Sequence, residues 1–180
     1  MLRNASYIFD NVITGNKEHC KKAQVGVDLS VNRLFAFGAE GVVLKDKTFV
    51  PEYAELPAGD YYGGPTHKEG TTTGWLLNPG TYILETNESC SFGENGTGYI
   101  IMRSSLNRCG VTIHSAVWDP GFNSGDNKMT IRMTVENPNG FFLEKNARVA
   151  QLIVFENELT ELYDGQFQGG RTTSKLVEEK

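Results

Sequence analysis

The sequence predicts a mainly β protein, a sandwich or barrel preceded by a short N-terminal helix. Three observations carry this. From Val25 onward the chain runs in short apolar or alternating pieces, each cut by Gly, Pro or Asn, which is the pattern of strands joined by tight turns. Helical spacing of apolar residues shows near "ASYIFDNVITGN", Ala5 to Asn16. The length of 180 residues, with 39% hydrophobic and 22% charged, suits one domain large enough to bury a core.

In chain order, the strand-like pieces are "VGVDLSVNRLFAF", "GVVLKDKTFV", "GWLLNPGTYILET", "GYIIMRSS", "GVTIHSAVW", "KMTIRMTV" and "GFFLEKNARVAQLIVFE". Pro79-Gly80 predicts a turn between two strands, and "ENPNGFF" predicts a hairpin turn. Residues 51–73, polar and rich in Gly, Pro and Tyr, read as a lid or long loop. The β domain is expected over residues 1–162. The tail, 163–180, lacks a core pattern and reads as a mobile arm.

The net charge of −5 argues against general nucleic-acid binding, which needs a basic face. A phosphate ligand stays open, because a few local arginines suffice. Cys20, Cys90 and Cys109 lack metal-type spacing and read as reduced thiols of a cytoplasmic protein. No signal peptide and no membrane-spanning segment is expected. The three histidines do not suggest a metal site, and His114 reads as a structural, hydrogen-bonded residue.

The chemistry-bearing residues cluster in "MRSSLNRCGVTIHSAVWDPGF". Arg103 offers a planar fork matched to phosphate oxygens, and Ser104 and Ser105 add hydroxyl donors. If a helical turn starts at Ser104, Ser105 and Arg108 share a side. Asp119 precedes Pro120-Gly121, so it is either a turn former or, beside Arg103, a general base for water. Phe122 either stacks on a base or sugar or belongs to the core. In "NARVAQLIVF", the odd offset from Arg148 to Gln151 puts them on opposite strand faces unless a bulge intervenes. In "FQGGRTTS", Gly169 and Gly170 allow backbone amides to approach phosphates. Arg171, Thr172, Thr173 and Ser174 add donors, and Phe167 could cover a base.

Taken in order from about Val25 to Ser174, these segments resemble the dUTPase and dCTP deaminase superfamily. "VGVDLSV" with Asp28 resembles its first motif, "LNPGTYILETNE" the Pro-Gly hairpin before the phosphate motif, and "RSSLNR" the phosphate motif itself. "VWDPGF" resembles the motif with the catalytic or sugar-contacting Asp, "NARVAQL" the fourth motif, and "QFQGGRTTS" the arm that closes over triphosphate.

The resemblance implies a dUTPase-like distorted β-barrel or jelly roll (a β-clip), a homotrimer with sites shared between subunits, and dUTP or dCTP as substrate. It implies Mg²⁺ held mainly through triphosphate oxygens and water, with Asp28 as an outer-shell candidate. It implies phosphate binding by Arg103, Ser104, Ser105 and Gln151, and an arm matched by Phe167 and Arg171 that closes over triphosphate. It further implies a deaminase-branch role for Arg108, a water-positioning role for Asp119, and packing of Phe122 beneath the deoxyribose.

The two branches of the family pull apart here. The interval from Arg103 to Asp119 is similar to that of dUTPases. The deaminase branch needs a strand-borne Glu as proton shuttle, whereas "MTIRMTVENPNG" places Arg132, Met133 or Thr134 there. Glu136 reaches that place only if the following hairpin is shorter. An arginine does not release its proton near neutral pH. The expected activity is therefore dUTP hydrolysis to dUMP and pyrophosphate. The alternatives are dCTP deamination, alone or bifunctional, and a catalytically silent nucleotide-binding relative. The expected location is the cytoplasm, or the host cytoplasm for a viral source.

Overall fold

A computed structural model of the chain describes residues 1–46, 48–61, 72–158, 162–164 and 168–169. The chain opens with α1 (Ala5–Tyr7), capped by the Asn4 side chain, which accepts from the Tyr7 amide at 2.9 Å. It continues as a π-helical turn over Ile8–Val12. This is shorter than the helix expected to Asn16. Ile13 is buried and pairs with Cys90, so the chain leaves the helix to form a strand. A side chain at Ile13 gains more from that pairing and burial than from another helical turn.

The strands follow as β1 (Ile13–Gly15), β2 (Lys21–Lys22), β3 (Val27–Phe37), β4 (Val42–Val43), β5 (Thr48–Phe49), β6 (Tyr53–Leu56), β7 (Gly59–Tyr61) and β8 (Thr72–Leu77). Then come β9 (Gly80–Thr86), β10 (Glu88–Cys90) and β11 (Gly96–Met102). After a short helix α2 (Ser104–Arg108) the chain forms β12 (Val111–Ile113), β13 (Val117–Trp118), β14 (Thr130–Val135), β15 (Phe141–Glu144) and β16 (Arg148–Glu156). Among the described residues the main sheet runs β12-β14-β9-β3-β16-β11-β13, with β2 and β6 also on β3, and it curls as a half barrel. A second sheet runs β15-β8-β7. The mainly β, barrel-like expectation holds.

β3 is long because it serves two partners. Its first residues pair with β16 and its later ones with β9, and the register shifts between Val31 and Arg33. Such an irregularity bends a strand and lets it pass from one sheet region to another. Leu29, Val31 and Leu34 are fully buried along it, packed in one core with Leu84, Ile100, Met133 and Leu152. The strand alternates apolar with polar residues, yet Asp28 and Ser30 are buried as well as Leu29 and Val31, so both of its faces are enclosed here.

The turn at Pro79-Gly80 joins two strands as expected, whereas the hairpins implied there by the resemblance and expected at "ENPNGFF" are corrected. β8 and β9 flank Pro79 but do not pair with each other; β8 pairs with β15, and β9 with β14. The turn after β14 likewise joins strands of different sheets. Both turns are corners at which two neighbouring chains cross from one sheet to the other. Gly140 sits in the second corner at φ 81°, where a Cβ would lie 2.7 Å from the Leu77 carbonyl oxygen. Turn chemistry reports a reversal of direction, and it does not report which strand lies alongside.

The lid expected over 51–73 is also revised. Tyr53–Leu56 pairs with β3 and Gly59–Tyr61 with β8. The Trp75 indole donates to the Leu56 carbonyl at 2.8 Å, and Tyr61 stacks on Phe142 at 4.3 Å. Tyr53 and Tyr61 are sheet residues inside a polar-looking stretch. The rest of that stretch, 62–71, lies outside the described residues. Among the described residues no helix is long and apolar enough to cross a membrane.

Candidate active site

The site grows from one row across the sheet. Asp28 on β3 pairs with Gln151 on β16, which pairs with Ile101 on β11. Directly paired residues project to the same face. Arg103, two residues beyond Ile101, returns to that face. Its Nε lies 3.2 Å from Asp28 Oδ2, and the Asp28 side chain is only 10% exposed. Gln151 Nε2 donates to Asp28 Oδ1 at 3.3 Å.

Arg148 joins this cluster through a bulge. The β16–β3 register shifts between Arg148 and Ala150. The extra residue reverses the alternation, so Arg148 and Gln151 reach the same carboxylate instead of opposite faces. Arg148 NH1 stands 3.7 Å from Asp28 Oδ2. The Arg148 carbonyl accepts from Arg103 NH1 at 2.6 Å. The sequence carried only the condition, an odd offset that a bulge would cancel; pairing settled it.

The cluster rests on buried polar groups. Ser30, paired with Arg148, donates to Glu88 from its amide at 3.1 Å and its hydroxyl at 2.6 Å. Asn87 bridges the Ser30 hydroxyl to Asn146, which adopts φ 65° just before the bulged strand. Glu88 is fully buried. Burial pushes its carboxyl above the ordinary value, against the opposing hydrogen bonds from Ser30.

α2 begins at Ser104, as the phosphate-motif reading requires, with Arg103 as its extended N-cap residue. Leu106 is buried and anchors the helix, while Ser104, Ser105 and Arg108 are exposed. Ser105 and Arg108, three apart, face one side. The first amides of a helix lack intrahelical acceptors. Arg103 and Arg148 against Asp28 leave net positive charge beside these donors, an arrangement suited to a phosphate chain.

Asp119 stands elsewhere. Its carbonyl accepts from the Phe122 amide at 3.1 Å, closing a turn through Gly121 at φ 82°. The carboxylate is exposed and lines a cleft of about 560 Å³ with Thr97, Tyr99, Val117 and Tyr163. Val117 pairs with Tyr99 and Trp118 with Gly98, which sets Asp119 beside Thr97. Arg103 lies six residues further along, about 20 Å at strand spacing. A single chain therefore does not bring Asp119 to Arg103. Both lie on one outer face, separated by Tyr99, Ile101 and Val117, which are 36%, 37% and 54% exposed.

Phe122 is a core residue. It is 7% exposed and packs between Phe92, at 6.4 Å, and Tyr163, at 5.9 Å. Its ring anchors the Asp119 turn, and the expected stacking beneath a sugar finds no free ring face. Glu136 lies past the end of β14, where it accepts from the Thr112 hydroxyl at 3.2 Å. On the strand itself Arg132 donates to His114 Nδ1 at 3.0 Å, and the other ring nitrogen meets Thr134 at 2.9 Å. His114 thus has the structural role expected of it, just beyond β12.

The described parts of the tail lie against the Asp119 turn, which corrects the picture of a wholly free arm. The Tyr163 amide donates to the Pro120 carbonyl at 2.8 Å, and Gln168 takes the Asn123 amide at 3.1 Å. The Gly169 amide, expected to approach phosphate, donates to the Asn123 carbonyl at 2.9 Å. Phe167, Gly170, Arg171, Thr172, Thr173 and Ser174 lie outside the described residues.

For Mg²⁺, the donor set speaks against direct capture by the protein here. Asp28 is nearly enclosed and already faces two arginines. No group of three His, Cys, Asp or Glu suited to a metal occurs among the described residues.

Comparison with known proteins identifies the family. The dCTP deaminase-like family profile matches residues 14–157. A probable deoxyuridine 5'-triphosphate nucleotidohydrolase of Aeropyrum pernix is 35% identical over 146 residues, covering 80% of this chain and 82% of that protein. The deoxyuridine 5'-triphosphate nucleotidohydrolase of Methanocaldococcus jannaschii is 31% identical, covering 86% and 91%. Among solved structures, the 2'-deoxycytidine 5'-triphosphate deaminase of Agrobacterium tumefaciens shares the fold at a TM-score of 0.59 and 15% identity. The match covers 89% of this chain and about half, 50%, of that one. With the profile spanning most of the β domain and relatives aligned almost end to end, the chain belongs to the dCTP deaminase-like family.

Proposed function

We propose that the protein is a dUTP diphosphatase that converts dUTP and water to dUMP and pyrophosphate, assembled as a homotrimer. The carrying observation is the pair of half-sites on one sheet face, a cationic cluster at Asp28 and an exposed carboxylate at Asp119, about 20 Å apart at strand spacing. The apolar stretch between them suits a second copy of this chain. Packing of copies there sets Asp119 of one beside Arg103 of another.

In that composite site Arg103, Arg148, Ser104 and Ser105 bind the phosphate chain, with Gln151 and Arg108 at its sides. Asp119 accepts a proton from water as the water oxygen bonds to the α-phosphorus. The bond from the α-phosphorus to its bridging oxygen breaks, pyrophosphate leaves, and Asp119 returns the proton to solvent. Arg103 stabilises the charge that develops on the phosphoryl oxygens. Bound Mg²⁺ supplies further neutralisation of the triphosphate. The tail, including Arg171 and Thr172, closes over the substrate. Deamination would need a strand-borne Glu where β14 carries Arg132, Met133 and Thr134, with Glu136 just past its end. Three free thiols suit the cytoplasm.

Incubation of the purified protein with each deoxynucleoside triphosphate and Mg²⁺ tests this reading. dUMP and pyrophosphate from dUTP are expected. Ammonia from dCTP would establish a deaminase instead, and tight nucleotide retention without turnover a silent relative. Light scattering should give three times the chain mass of 19.9 kDa; a fully active monomer would remove the shared site.

A further inference from the structure

We propose that Lys21, which lies in the stretch before the Asp28 motif, is a substrate-binding residue that contacts the phosphate chain. The inference rests on the triphosphate reading of the Asp28 cluster and adds a residue to it. β2 pairs with β3 so that Lys21 stands directly opposite Asp28, and Lys22 opposite Val27. The row therefore runs Lys21–Asp28–Gln151 across three strands, with all three side chains on one face.

The neighbouring lysine shows that the alternation is real. Lys22 turns to the opposite face, where its Nζ lies 4.8 Å from the centre of the Phe9 ring and 3.7 Å from Asp10 Oδ1. Val27, its partner, is fully buried on that side. Lys21 therefore projects with Asp28. It is exposed, and among the described residues its ammonium has no recorded ion pair or hydrogen bond.

Cross-strand partners stand about 5 Å apart at Cβ. A lysine stem is long enough to carry its charge along that face, on the side of Asp28 away from β16. Asp28 is taken up by Arg103 and Arg148. Lys21, not ion-paired with Asp28, adds a third cation to the same face, an excess that a polyphosphate neutralises. Lys21 is suited to the mobile end of such a chain, because an ammonium is a compact charge without the directional fork of arginine.

The test uses the full-length protein and magnesium tripolyphosphate, a probe that carries the phosphate chain without a nucleoside. Titration calorimetry on wild type, Lys21→Gln, Lys21→Arg and Lys22→Gln reads the affinity, and dUTP turnover is measured on the same samples. Lys21→Gln should weaken tripolyphosphate about tenfold, the scale of one charge-assisted bond. Lys21→Arg should retain most of the affinity and Lys22→Gln nearly all of it. Unchanged affinity in Lys21→Gln, or a wild type that does not bind tripolyphosphate, overturns the proposal. Lys21-dependent binding in a protein that does not cleave dUTP would remove the hydrolase and keep the lysine assignment.

Discussion

At one end of the outer sheet face Asp28 is enclosed by Arg103, Arg148 and Gln151 and backed by the Ser30–Glu88 contact. At the other end Asp119 projects from a turn into an open cleft, and among the described residues its hydrogen bonds are those of its backbone. The first region is finished within one chain; the second offers an exposed carboxylate in an open cleft. Charge neutralisation by arginine works when the geometry is built in advance. On the proposed reading, a general base at Asp119 needs its substrate brought to it by another copy of the chain.

The largest expected effect comes from the open end. Asp119→Asn keeps the shape of the turn and removes the base, so dUTP turnover should fall about a hundredfold or more. Nucleotide binding, followed by calorimetry, should persist. Near-normal turnover in this variant would reduce Asp119 to a turn former.

Mixing tests whether the two ends belong to different subunits. Arg103→Ala and Asp119→Asn should each be inactive alone. After subunit exchange, randomly mixed trimers should regain up to about a quarter of wild-type activity, because one composite site in four then has both intact residues. Absence of any recovery in verified mixed trimers would place both residues of a site in one chain.

The built end can be disturbed by a single methyl group. A Cβ at Gly26 would lie 2.2 Å from the Leu152 carbonyl oxygen, so Gly26→Ala must push β3 from β16 next to Asp28. A stability loss of about 1–3 kcal/mol in denaturant titration is expected, together with a raised KM for dUTP. An unchanged KM would show that the cluster tolerates movement of its own strand.

The smallest effect concerns Glu88. Its folded-state pKa lies above the ordinary 4.5 because of burial. Its contribution to stability is full below that ordinary value and is lost as pH rises through the raised one. Melting temperature followed against pH should fall more steeply on the alkaline side for wild type than for Glu88→Gln. Parallel curves would mean that the carboxyl ionises as freely as in the unfolded chain.

The sequence by itself determined the fold class, because short apolar pieces cut by Gly and Pro have few other uses. It also placed Arg103, Ser104 and Ser105 at the start of a helical turn, since they are contiguous and the turn follows from local spacing. The order of the motifs was enough to point to the family. Tertiary structure decided everything that depends on which strand lies beside which. Pro79-Gly80 and Asn137–Gly140 signal turns, yet only pairing shows them to be corners between sheets. The Tyr-rich stretch looked like a lid because it is polar and rich in Gly and Pro, while β6 and β7 are held by strand partners. Phe122 could be ligand-facing or core until Phe92 and Tyr163 were seen around it. Arg148 entered the cluster only through the bulge. Local spacing sets the direction of a side chain within its own strand, but a bulge resets that direction, and bulges arise from register between strands.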